Sequence, residues 1–139
     1  MYQWFKYMFV IMTFIGLSAA SAGPGNVLID REFSLGIGQA VNVEGEKLVI
    51  KFKAVLEDSR CPVNVVCVWA GNGKVEFEIL DIDGQNKTII LNTEEEPKAV
   101  TLKVHKLSLI SLNPPRVDGV SISPGDYSVT LLLEKKSAN

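Results

Sequence analysis

The sequence predicts an all-β fold, an antiparallel two-sheet sandwich of about seven or eight strands, with a small β-barrel as the alternative. Three observations carry this reading. Beyond position 30, apolar residues recur at every second position through several segments, the period of a strand that faces core and solvent alternately. No segment there sustains a helical period, and there are no repeats or heptads. Gly, Pro and Asn interrupt the alternation at spacings of about 8–12 residues, the interval of short strands joined by tight turns.

Along the chain, Glu32–Leu35 and Ala40–Val43 are weaker strand candidates around Gly36 and Gly38. The clearest strand is Leu48–Leu56, with Leu48, Ile50, Phe52, Ala54 and Leu56 on one face and Lys51, Lys53 and Glu57 on the other. One apolar and one charged face mark a half-buried antiparallel strand. Lys74–Ile79 follows, with Val75, Phe77 and Ile79 inward and Lys74, Glu76 and Glu78 outward. Asp83-Gly84 has turn chemistry, because Gly accepts positive φ without a Cβ clash, and Thr88–Leu91 completes that hairpin. Val100, Leu102 and Val104 then alternate with Thr101, Lys103 and His105, which puts His105 on a solvated face. Leu107, Leu109 and Leu112 form a further strand, stopped by Pro114-Pro115. After the turn Pro124-Gly125-Asp126 the last strand carries Tyr127, Val129, Leu131 and Leu133. The Pro124–Tyr127 run resembles the closing strand of secreted immunoglobulin-like and fibronectin-like sandwiches, and that resemblance favours a sandwich over a barrel.

The chain has 139 residues. Lys6, the apolar run Tyr7–Leu17 and Ala20-Ser21-Ala22 form the three regions of a secretory leader with a small-residue cleavage site. The expectation is a signal peptide over 1–22 and a single domain over 23–139, exported to the periplasm or the medium. The apolar run is about half as long as a spanning helix requires, so no integral membrane segment is expected after cleavage. No Cys follows the cut, which argues against a lipid anchor. Lys6 is the leader's only charged residue, and the whole chain carries a formal charge of −2. A mildly acidic domain has no electrostatic reason to bind nucleic acid or an anionic membrane. All three Met lie in the leader and one His, His105, remains. That count excludes blue-copper, His-rich zinc and copper–zinc dismutase sites, and no metal or cofactor is expected.

One loop stands apart. Between the two best strands lie Asp58, Ser59, Arg60, Cys61, Pro62, Cys67, Trp69, Gly71, Asn72 and Gly73, and both Cys of the chain fall here, six positions apart. In an exported protein such a pair most simply forms a disulfide. Closing so short a ring contributes about 2 kcal/mol in the chain-entropy account, enough to shape a loop rather than to hold a domain. The spacing is C-x5-C and not C-x-x-C, so nothing obvious depresses a thiol pKa for redox work. Asp58 and Ser59 suit acceptance of backbone N–H groups where the chain leaves the strand. Arg60 has Asp58 or Glu57 within pairing range. Trp69 is expected to cover the disulfide. Gly71 and Asn72-Gly73 supply positive φ for the return into the next strand.

The run Asp58-Ser59-Arg60-Cys61-Pro62, then Cys67, then Trp69-Ala70-Gly71-Asn72 resembles a family of small exported bacterial proteins of uncharacterised function. They share a D-S-R-C-P…C-x-W-A-G-N pattern at this spacing. The likeness is densest over 57–72 and extends more weakly to Phe33–Gly38 and the Tyr127 strand. The resemblance implies no activity, ligand or catalytic residue.

Other chemistry reads as scaffold. A Ser–His–Asp site has no support beyond residue types, since no G-x-S-x-G motif is present. The carboxylate pairs Glu44 with Glu46 and Glu76 with Glu78 lie on solvent faces of strands, not across a cleft as a glycosidase needs. Asp81-x-Asp83-Gly84 starts like a calcium loop, but its Gly comes too early and no closing Glu follows, so it reads as a hairpin turn. Glu94-Glu95-Glu96-Pro97 reads as a solvated loop. The expectation is therefore a non-enzymatic exported binding module. It presents a disulfide-braced loop (Asp58, Ser59, Arg60, Trp69, Asn72, with Cys61–Cys67) to a protein or glycan. An inhibitor of a secreted or host hydrolase, and a purely structural domain, are the alternatives.

Overall fold

The structure, a computed structural model, describes residues 25–137; the leader reading of 1–22 lies outside the described residues. Among the described residues there are nine strands: β1 (Gly25–Val27), β2 (Glu32–Gly36), β3 (Ala40–Val43), β4 (Val49–Asp58), β5 (Gly73–Leu80), β6 (Asn86–Asn92), β7 (Ala99–Leu102), β8 (His105–Asn113) and β9 (Ser128–Lys135). They form two sheets, one in the order β1-β3-β4-β5-β6 and one in the order β2-β9-β8-β7. Neither sheet closes on itself, so the fold is a sandwich and not a barrel. Every pairing is antiparallel except β1 with β3. The short β1, which the alternation does not announce, takes the strand count past the expected range.

The core is the inward row of each strand. Ile50 and Phe52 of β4, Val75, Phe77 and Ile79 of β5, and Leu91 of β6 face Leu107 of β8 and Val129, Leu131 and Leu133 of β9, all without solvent contact. Phe52 and Phe77 pair across β4 and β5 with ring centroids 5.8 Å apart. On the outer face Lys53 Nζ reaches Glu76 at 3.0 Å and Glu78 at 3.2 Å. Fully burying one large apolar side chain is worth about 1.5–3 kcal/mol. The core therefore carries the fold, and exposed ion pairs of this kind add at most about 1 kcal/mol each.

Two departures from strict alternation shape the two ends of the sandwich. First, β4 slips register against β5 twice, between Phe52 and Ala54 and again between Val55 and Glu57. The first slip turns Ala54 outward opposite Glu76 and Val55 inward opposite Val75; the second leaves Leu56 as the extra residue, 48% exposed. The even-numbered row resumes at Asp58, which pairs with Gly73. Bulges bend and re-aim a strand at its end, and here they aim a carboxylate between the sheets. Second, β7 ends at Leu102. The chain reverses through Lys103 (φ 53°) and Val104, so His105 opens β8 opposite Leu102. His105 then shares the inward row with Leu107 and is 3% exposed, not on the solvated face that one continuous strand predicts. Lys103-Val104 has no Gly, Asn or Pro to mark the turn.

The bulges give a test. Val55→Ser should cost about 1–2 kcal/mol, because it replaces packed apolar surface with a hydroxyl. Leu56→Ser should stay within about 0.5 kcal/mol. Urea unfolding of the two variants checks the order, which strict alternation reverses.

Candidate functional site

The connection from β4 to β5 has a neck and a tip. The neck is a short ribbon in which Ser59 N donates to Asn72 O (2.8 Å) and Cys61 N to Ala70 O (2.8 Å). The Ser59 hydroxyl accepts Asn72 N at 3.0 Å and donates to Asn72 O at 3.1 Å. Gly71 must be glycine on two counts: its φ is +70°, and a Cβ would lie 1.8 Å from Ser59 O. Asn72 and Gly73 do not take the positive φ expected of them. Gly73 is small because a Cβ there would approach Leu112 Cδ2 to 2.8 Å.

Inside the neck, Asp58 and Arg60 form a planar two-point pair. Arg60 Nε donates to Asp58 Oδ1 and Nη2 to Oδ2, both at 2.7 Å, with side chains only 9% (Asp58) and 12% (Arg60) exposed. The same guanidinium donates through Nη1 to Leu112 O (2.6 Å) and through Nη2 to Pro114 O (3.0 Å) at the end of β8. The Tyr127 hydroxyl, just before β9, donates to Asp58 Oδ2 at 2.9 Å. One ion pair thus ties the β4 end to two strands of the opposite sheet. A forked guanidinium is the group suited to this geometry.

Asn72 is buried, and both ends of its side-chain amide are bonded. Its Nδ2 donates to Asn92 Oδ1 at 2.9 Å, and its Oδ1 accepts Glu94 N at 3.2 Å. Gly73 N donates to Thr93 Oγ1 at 2.8 Å. The acidic run at 94–96 is exposed, as expected, but its first amide is anchored on the loop.

Beyond the neck the tip holds the Cys61–Cys67 disulfide, with Cα atoms 6.0 Å apart. The expected pairing is therefore present. Trp69 is not packed over it: the residue is 82% exposed. The tip lies beyond Asp58 and Gly73, the last paired residues of β4 and β5, and none of its residues joins the core. Val66 is wholly exposed, and Val63, Val65 and Val68 are exposed beside it. The segment after β8 splints the tip from one side. Val63 N donates to Arg116 O (2.9 Å), Asp118 N to Asn64 Oδ1 (2.8 Å) and Arg116 Nη1 to Arg60 O (2.8 Å). That segment adds the exposed Val117 and Val120 to the apolar surface.

Of the five residues expected to form a site, Asp58, Ser59, Arg60 and Asn72 come together, but they face inward as a clamp. Trp69 is apart from them and faces out. Sequence reasoning missed the valines as surface and missed Tyr127, Asn92, Thr93 and Arg116 as partners. The signal for Tyr127 was a hydroxyl heading an otherwise apolar inward row. Among the described residues no group of three His, Cys, Asp or Glu is placed to hold a metal ion, and no helix is long and apolar enough to cross a membrane. The chain has no match among protein-family models, curated proteins or solved structures.

Burial works to raise the Asp58 pKa, but the bonds from Arg60 and Tyr127 outweigh it and hold the carboxyl below its ordinary range. The Tyr127 phenol is raised by burial and by its bond to Asp58. A lowered folded-state carboxyl gives stability that is complete above the unfolded value of about 3.9 and is lost as pH falls through the folded value.

Arg60→Ala leaves Asp58 and two carbonyls without their donor. It should cost about 3 kcal/mol, lowering Tm by about 10 °C. Arg60→Lys keeps the charge without the fork and should recover less than half of that loss. Asp58→Asn should cost a similar amount at neutral pH, with the gap to the unaltered protein closing below about pH 4. Urea titrations from neutral to acid pH read both outcomes.

Proposed function

We propose that the protein is a non-enzymatic binding module that seats the Val63–Trp69 tip in an apolar recess of a partner protein. The observation that carries this reading is the exposure of Trp69 among four valines on a loop braced by a disulfide and an ion-paired neck. Contiguous exposed apolar surface on a folded domain marks an interaction site, and Trp is the residue type most enriched where binding energy concentrates. Bracing the loop beforehand removes an ordering cost from association. A protein is favoured over a glycan because the polar side chains of the loop are engaged within the neck. Those side chains are therefore not free to bond sugar hydroxyls. Inhibition of a secreted or host hydrolase is the case in which the recess is an active site. The leader motif and the disulfide support export to the periplasm or the medium, and the D-S-R-C-P…C-x-W-A-G-N resemblance is to other small exported chains.

Trp69→Ala and Val66→Ser should each leave stability within about 0.5 kcal/mol. A photo-crosslinker at Val68, introduced in the producing cell, should give one discrete adduct, and the same group at Lys106 on the far side should give none. Either tip substitution should abolish the adduct. No adduct at Val68, or one that survives both substitutions, would overturn the reading. Loss of activity in a panel of proteases and lysozymes would narrow it to inhibition.

A further inference from the structure

At the other end of the β4–β5 ribbon, about 30 Å from the neck over ten residues of strand, the two sheets part between edge strands β6 and β7. The gap is a cavity of about 170 Å³. Its floor is Leu48 and Ile79, and its walls are Ile89 of β6 with Val100 and Leu102 of β7. Exposed Ile82 and Val104 form a lip, so the space opens to solvent.

One wall is polar. His105, 3% exposed, lines the cavity with Nε2 making no hydrogen bond. The Glu46 carboxylate stands 3.4 Å from Nε2 without completing one. A buried ring nitrogen that makes no hydrogen bond is an exception among native polar groups and calls for an explanation. The cations at the rim stand in ion pairs: Lys87 Nζ lies 3.1 Å from Asp81 Oδ2, a buried oxygen that, like His105 Nε2, makes no hydrogen bond, and Lys103 pairs with Asp83. The mouth therefore has no free positive charge to attract an anion.

We infer that this cavity is a binding site for a small uncharged molecule with an apolar body of about one aromatic ring and a single hydroxyl directed at His105 Nε2. Size sets the body, since an apolar cavity of about 150 Å³ accommodates benzene. The hydroxyl follows from His105: an O–H both donates and accepts, so it satisfies Nε2 in either ring tautomer. The site is separate from the tip and does not depend on the role proposed for it.

The probe is phenol, with toluene and benzoate as controls, followed in amide NMR spectra of the protein. Phenol should shift the amides of Ile79, Val100, Leu102 and His105 saturably, with a dissociation constant of about a millimolar. Toluene should reach the same residues about tenfold more weakly, for want of the hydrogen bond, and benzoate more weakly than phenol. His105→Phe should bring phenol down to the affinity of toluene. Should that variant fail to fold, Val104→Trp, at the exposed lip, closes the mouth without entering the core and should abolish the phenol shifts. Toluene binding as tightly as phenol, or benzoate binding more tightly, would overturn the inference. So would the absence of saturable shifts at these residues, or shifts led by Trp69.

Discussion

The buried pair between Asp58 and Arg60 is the constraint on which the β4–β5 loop end of this molecule depends. Two ionised groups withdrawn from water are costly unless every donor and acceptor is matched. Here the match is made by groups from four places: the β4 end, the neck, the carbonyls at the end of β8, and the phenol before β9. None of these can move without exposing a charge to an apolar interior. The pair therefore fixes the position of one sheet's end against the other, and the loop's departure angle with it.

The disulfide has a narrower role than its prominence in the sequence implies. It closes a ring beyond the neck, where backbone bonds already join Ser59 to Asn72 and Cys61 to Ala70. Its work is confined to the seven-residue ring, whose short span limits the entropy it removes from the unfolded chain. The division is by height above the sheets. The ionic clamp sets where the loop stands, and the covalent link sets the shape of what it displays.

Much of the architecture was legible because alternation is a direct image of burial. β5 and β9 could be read residue by residue, and so could the turn at Asp83-Gly84 and the stop at Pro114. Other features were hidden for identifiable reasons. The bulges in β4 leave no mark in composition, so Ala54 and Leu56 read as core, whereas Ala54 pairs with the outward Glu76 and Leu56 is exposed. The β7–β8 turn uses Lys103-Val104, a pair without turn preference, and His105 was assigned to the wrong face in consequence. Trp69 read as cover for the disulfide because large aromatic area normally seeks a core. Only the height of the loop shows that none is within reach. Asp58, Ser59, Arg60 and Asn72 lie together in the neck, and their inward direction is what the sequence does not display. A charged residue near a surface loop gives no sign of facing inward until its partners, here from β8 and β9, are known.

The borders of the two sheets have a consequence for the molecule in a crowded compartment. A free strand edge offers unpaired amides and carbonyls to any passing chain. Three of the four borders are short: β1 has three residues, β7 four and β2 five. The fourth, β6, is longer at seven and exposes Asn86, Lys87 and Thr88 at its start. Resistance to strand-by-strand self-association is thus spread unevenly around the sandwich. Brevity guards three sides, and on the remaining one the task falls to a hydrophilic stretch with a single ammonium group.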